Sequence, residues 1–144
     1  MTLEDRVYTA ARACLEEGYR RLRLELGIVS RISGDTYEIF ALFPGDVFAR
    51  GDHFPLDQTY CREVVELGQV VAHTEYKGEW GLSRHPLYVL LPLEAYLGAP
   101  IRVRGVVWGT VNFSSHTRRK RFSSEEVAYV STLAERIGAA LEEV

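Results

Sequence analysis

The chain has 144 residues, 47% of them hydrophobic and 26% charged, with a formal net charge of −3. That size and balance suit a single domain over residues 1–144 with a real hydrophobic core. The mild charge favours neither nucleic acid nor an anionic membrane as partner, and no apolar run reaches the roughly 18 residues that span a bilayer.

From the N-terminus, Met1-Thr2-Leu3-Glu4-Asp5 lacks the basic-then-apolar layout of a signal peptide. Two cysteines, Cys14 and Cys61, are too few for a disulfide framework, so a reduced, cytoplasmic setting is expected. Thr2 with Asp5 makes a capping arrangement for a first helix. Leu3, Val7, Ala10, Ala11, Cys14, Gly18 and Leu22 then recur at helical spacing, with charges filling the other faces. Many of these side chains are small, so another helix, of this chain or of a second copy, is expected to approach closely there.

Near Glu25 the period changes. Residues 26–32 (LGIVSRI) and 37–43 (YEIFALF) are β-branched or aromatic runs around Ser33-Gly34-Asp35, which predicts a hairpin. Residues 44–52 read as a loop. Asp57 or Thr59 is placed to cap a short helix through Cys61, Val64 and Val65 that stops at Gly68. Residues 69–73 read as a short strand. Residues 74–92 are irregular but rich in aromatics, a composition expected of a binding loop or lid rather than a disordered tail.

Residues 96–113 (YLGAPIRVRGVVWGTVNF) are two apolar runs around Arg104-Gly105, a second hairpin signal. Both faces are largely apolar, so this hairpin is expected at the middle of a sheet. Val107, Val111 and Phe113 share one face with Gly109, and Val106, Trp108, Thr110 and Asn112 share the other. The last helix is predicted from Ser123 as N-cap with Glu126 as its capping-box partner, and Phe122 with Val127 as a staple. Its stripe is Val127, Val130, Leu133, Ile137 and Leu141. No Gly or Pro stops it before Val144, as expected of a helix that continues into something else.

The order is helix, hairpin, short helix, strand, irregular segment, hairpin, helix, an α+β arrangement around an antiparallel sheet. Tyr96-Leu97-Gly98-Ala99-Pro100-Ile101, the turn at Gly105, and Trp108-Gly109-Thr110-Val111-Asn112-Phe113-Ser114-Ser115 resemble the C-terminal signature of GAF domains. Arg121-Phe122-Ser123-Ser124-Glu125-Glu126 resembles that family's entry into its last helix. Phe54-Pro55-Leu56-Asp57-Gln58-Thr59-Tyr60-Cys61 resembles the stretch before its central short helix, as in GAF domains of bacterial sensor kinases. The resemblance implies a six-stranded antiparallel sheet with terminal helices on one face and short helices and loops over a small-molecule pocket on the other. It also implies a regulatory role, because GAF domains bind cyclic nucleotides, tetrapyrroles or other small molecules, or only dimerise.

Within that frame the candidate pocket comprises Tyr60, Cys61, Trp80, His85, Tyr88, Tyr96, Trp108 and Asn112. Tyr88, Tyr96 and Trp80 would line an aromatic cavity fit for a flat heterocycle, and a neutral His85 would hydrogen-bond a ligand. The competing reading of each is ordinary packing. Cys61 is read as a thiol on a short helix. Arg62 follows it where bilin-attaching relatives tend to carry His, which argues against covalent attachment. Arg62 would lower its pKa and burial would raise it. Some GAF proteins reduce free methionine sulfoxide with cysteines in the loop over the pocket, yet no cysteine lies between Gly68 and Ser115. His53, His73, His85 and His116 show no metal-ligand spacing. Arg118 to Arg121 reads as a solvated basic turn.

The expected function is a non-enzymatic sensory domain of signal transduction, including two-component systems. A small molecule would bind between the sheet and residues 74–92, and the terminal helices would relay it within a homodimer to a histidine kinase or other output domain. No cofactor is assigned. The alternatives are a dimerisation module without ligand and, more distantly, a methionine sulfoxide reductase.

Overall fold

The computed structural model describes residues 2–45, 48–74, 93–117 and 119–143. In chain order the elements are α1 (Leu3–Leu22), β1 (Leu26–Ser33), β2 (Thr36–Phe43), β3 (His53–Pro55), a 3-10 turn (Leu56–Gln58), α2 (Arg62–Leu67), β4 (Val71–Thr74), β5 (Ala95–Val103), β6 (Val106–Ser115) and α3 (Ser124–Glu142). The strands form one six-stranded sheet in the order β3-β2-β1-β6-β5-β4. Every neighbouring pair is antiparallel. The α+β architecture expected from the sequence is therefore present. Among the described residues, no helix is long and apolar enough to cross a membrane.

Local chemistry accounts for the element ends. The Thr2 hydroxyl accepts from the Asp5 N–H at 3.1 Å, and the Asp5 carboxylate accepts from the Thr2 N–H at 3.1 Å, which closes the first turn of α1. Ser123 and Glu126 repeat the device at α3. At the β5–β6 turn, Arg104 and Gly105 have φ of 51° and 82°, the positive pair that a tight twisted hairpin demands. The short helix starts later than the sequence suggests. Thr59 donates its hydroxyl to the Leu56 carbonyl at 2.8 Å rather than capping α2, and the N-cap position belongs to Cys61. β3 was not legible as a strand because it is three residues long and carries Pro55.

The sheet separates two apolar clusters. On one face, α1 and α3 bury Val7, Leu15, Leu22, Val130, Leu133 and Ile137 against Val29, Leu97, Ile101, Val111 and Phe113. Each such fully buried side chain contributes about 1.5–3 kcal/mol. On the other face, Ile28, Tyr37, Ile39 and Tyr96 pack with Tyr60, Cys61 and Val64 of the short-helix layer. The small stripe of α1 meets partners in the same chain: a Cβ on Gly18 would lie 2.3 Å from the Phe113 ring and 3.1 Å from Leu133. Leu3, expected in that stripe, is 42% exposed at the helix start.

Two β-bulges break the alternation of the central strands. Val29 pairs with Ala41 but Ser30 with Ile39, so Phe40 is the extra residue of β2. Ile101 pairs with Gly109 but Arg102 with Val107, so Trp108 is the extra residue of β6. Both extra side chains fall on the helix face and meet edge to face, ring centroids 5.4 Å apart. Between β1 and β6, a Cβ on Gly109 would lie 1.8 Å from the Ser30 carbonyl oxygen. Gly109→Ala is accordingly expected to cost about 3 kcal/mol or more, read as a fall in the urea midpoint. At Gly45 the nearest atom is 3.8 Å from the added Cβ, so Gly45→Ala is expected within about 0.5 kcal/mol of the parent.

Candidate functional site

On the sheet face away from the terminal helices lies a cavity of about 260 Å³, lined by residues of β1, β2 and β6, by Tyr96 of β5, and by Phe48, Phe54, Gln58, Thr59, Tyr60, Cys61 and Leu93. Its placement follows from the pleat. Leu26 and Ile28 on β1, Tyr37 and Ile39 on β2, and Asn112 and Ser114 on β6 alternate onto this face. The Tyr60 and Tyr96 rings stack with centroids 5.9 Å apart. Phe48 and Phe54 meet edge to face at 5.8 Å. Gly98 leaves room for the Tyr96 side chain, whose hydroxyl would lie 2.5 Å from a Cβ at that position.

Cys61 is the hub of the cavity floor. Its sulfur is 2.9 Å from the Tyr96 hydroxyl and accepts from the Thr110 hydroxyl and the Asn112 amide, each at 3.2 Å. Behind it, the Ser30 and Thr110 hydroxyls are 2.6 Å apart, and the Thr110 N–H donates to the Ser30 hydroxyl at 3.2 Å. Ser30, Cys61, Tyr96, Thr110 and Asn112 are all buried. Among the described residues no buried side-chain nitrogen or oxygen lacks a hydrogen-bond partner. Burial pushes the Cys61 thiol above its ordinary value, more strongly than its hydrogen bonds pull it down. Burial likewise raises Tyr37 and Tyr96 well above the usual phenol range. Arg62 does not reach the thiol: its Nε donates to Glu66 on the helix exterior at 2.9 Å. The opposition between burial and Arg62 is thus resolved in favour of a neutral thiol.

Of the eight sequence candidates, the structure brings Tyr60, Cys61, Tyr96 and Asn112 together around the cavity. Trp80, His85 and Tyr88 lie outside the described residues. Trp108 does not line the cavity. The bulge reverses its side and packs it on Phe40 under the helices, whereas Thr110 and Asn112 keep the side that alternation predicts. Sequence reasoning missed Tyr37, Ile39, Phe48 and Phe54 as lining residues. The alternation of Tyr37 and Ile39 was visible, but nothing in it distinguishes the cavity face from the helix face. Among the described residues, no group of three His, Cys, Asp or Glu side chains could hold a metal ion.

Cys14, on the opposite side of the sheet, is also buried and raised by burial. Both thiols stay protonated in the folded protein past the pH, near 8.5, at which an unfolded thiol ionises. The unfolded state then binds fewer protons, so stability falls as pH rises above about 8.5, by at most about 1.4 kcal/mol per pH unit for each thiol. Urea midpoints at increasing alkaline pH check this, and Cys61→Ser is expected to make the slope shallower below the phenol range.

The family model for the GAF domain matches residues 5–142. No curated protein sequence matches the chain. Among solved structures, the blue-light absorbing form of the PixJ GAF domain of Thermosynechococcus elongatus superposes with a TM-score of 0.77 at 20% identity, over 98% of this chain and 87% of that one. The phycocyanobilin-bound GAF domain of a cyanobacterial phytochrome gives 0.77 at 15% identity, over 99% and 86%. The type II free methionine-R-sulfoxide reductase of Thermoplasma acidophilum gives 0.79 at 15% identity, over 99% and 96%. At such identities the superpositions speak for the fold, while the family model spans nearly the whole sequence: this chain belongs to the GAF domain family.

Proposed function

We propose that this GAF domain is a non-enzymatic sensor of a small molecule, acting in signal transduction. The observation that carries the reading is the cavity between the sheet and the short-helix layer, floored by Cys61, Tyr96 and Asn112. Solved relatives of the same fold include a phycocyanobilin-bound domain, which supports ligand capture on this architecture. In this reading the domain works in the cytoplasm as a homodimer joined through α1 and α3, attached to or serving a histidine kinase or other output domain of a two-component system.

Contacts at the edge of the cavity supply a route to α1. Phe48 and Phe54 line the cavity, and the residues between them turn back on the sheet. The Gly51 N–H donates to the Ile39 carbonyl and the Ile39 N–H to the Asp52 carbonyl, each at 2.8 Å. Arg50 donates to the Phe40 carbonyl at 3.1 Å and lays its guanidinium 3.9 Å from the centre of the Tyr8 ring on α1. A ligand that pushes Phe48, Ile39 or Phe54 therefore loads Arg50, and through it Tyr8. Such a relay works only to the extent that the ligand favours one arrangement over the other.

The arrangement of the two thiols argues against a reductase. Cys14 and Cys61 lie on opposite faces of the sheet, and a disulfide needs Cα atoms within about 7 Å. They cannot act as a nucleophile and resolving pair without unfolding the core between them.

Thermal-shift screening against cyclic nucleotides, hemes, bilins, amino acids and small aromatic compounds tests ligand capture. A ligand at 100 times its Kd is expected to add about 2.7 kcal/mol, a rise of several degrees in Tm. A flat response across the panel supports a dimerisation module instead. Light scattering tests the dimer, which a strictly 16.3 kDa species at high concentration would refute. Arg50→Ala is expected to speed amide hydrogen exchange over residues 5–12 of α1 while leaving exchange in β5 and β6 unchanged. Equal exchange in both proteins removes Arg50 from the relay.

A further inference from the structure

The composition of the cavity wall restricts the ligand's chemistry, an inference that rests on the sensory reading above. Among the described lining residues there is no Asp, Glu, Lys, Arg or His. A phosphate, a carboxylate or an ammonium placed there loses its hydration and gains no opposite charge from those residues, a penalty of several kcal/mol per ion. The polar groups of the floor are also already engaged. The Asn112 amide, the Thr110 hydroxyl and the Tyr96 hydroxyl converge on the Cys61 sulfur, so a strongly polar ligand must compete with bonds that the floor already makes.

Size narrows the choice further. A dry apolar cavity of about 150 Å³ accommodates benzene, whereas drug-sized ligands occupy about 300–1,000 Å³. The 260 Å³ found here falls between these limits, the range of a fused two-ring compound. The walls suit a ring. The stacked pair Tyr60 and Tyr96 and the edge-to-face pair Phe48 and Phe54 present aromatic surface, and Leu26, Ile28 and Ile39 present aliphatic surface. Asn112 and Ser114 add uncharged polar side chains to the lining.

We infer that the cavity takes a neutral, compact, mainly apolar aromatic molecule of one or two fused rings, with at most a single uncharged polar substituent. Cyclic nucleotides, propionate-bearing tetrapyrroles and zwitterionic amino acids are disfavoured because each brings a formal charge against described lining residues that carry none.

The test titrates the intact chain with indole and 2-naphthol on one arm and with cyclic GMP, biliverdin and methionine sulfoxide on the other, following backbone amide shifts by NMR. The expected result is saturable, sub-millimolar binding of indole or 2-naphthol, with the largest shifts at Ile28, Ile39 and Asn112. Ile28→Phe, which fills the cavity, is expected to weaken that binding at least tenfold without lowering Tm. If Ile28→Phe does not fold, Leu26→Phe takes its place. Binding of the neutral probes that the filled variant does not weaken overturns the inference. Binding of a charged probe at the same residues, with none by the neutral pair, overturns the ligand class but leaves the sensory role standing. No binding on either arm overturns the inference, and the wider thermal-shift panel then decides the sensory role.

Discussion

The close pairing of β1 with β6 is the constraint from which the rest of this domain follows. These strands are far apart in sequence and form the centre of the sheet, with Ser30 opposite Thr110. They approach so tightly that only a glycine fits at position 109, where any Cβ would collide with the Ser30 carbonyl. The same approach brings the Ser30 and Thr110 hydroxyls within 2.6 Å and aims the Thr110 hydroxyl at Cys61. The contact thus joins the two halves of the chain and also builds the floor of the cavity.

Around that floor, sulfur acts as an acceptor rather than as a nucleophile. Thiolate chemistry requires an electropositive, partly exposed setting, and Cys61 has neither property. It is 2% exposed, ringed by uncharged donors, and Arg62 turns outward to Glu66. Its contribution is cohesion: one side chain ties the start of α2 to β5 and β6. Removing it would take one buried partner from each of the Asn112 amide and the Thr110 hydroxyl, and a typical hydrogen bond contributes about 0.5–1.5 kcal/mol.

The sheet also keeps the cavity and the terminal helices apart, so any communication between them must pass through the sheet or around its edge. Both routes meet at the β2 bulge. The displaced Phe40 packs on Trp108 beneath the helices, and its carbonyl holds Arg50, which stacks on Tyr8. A bulge is a sensible place for such a junction, because it frees a backbone carbonyl from the ladder and turns a side chain to the other face.

The sequence by itself determined the order of the elements other than β3, both hairpins, the two long helices with their capping boxes, and the family, because each of these rests on neighbours within a few residues. Tyr60, Cys61, Tyr96 and Asn112 were candidates in the sequence, and all four line the cavity, whereas the candidate Trp108 packs on the other face of the sheet. Only the tertiary structure decided which face of the central hairpin lines the cavity. Alternation names two faces without saying what covers either. It also decided the side taken by Trp108, since a bulge arises from pairing with a distant strand. The charge state favoured at Cys61 belongs to the same class: Arg62 is adjacent in sequence, but burial among Tyr37, Tyr96, Thr110 and Asn112 outweighs it. Local patterns record what a residue is next to along the chain. Which water, charge or ring it meets is set by segments folded onto it from elsewhere.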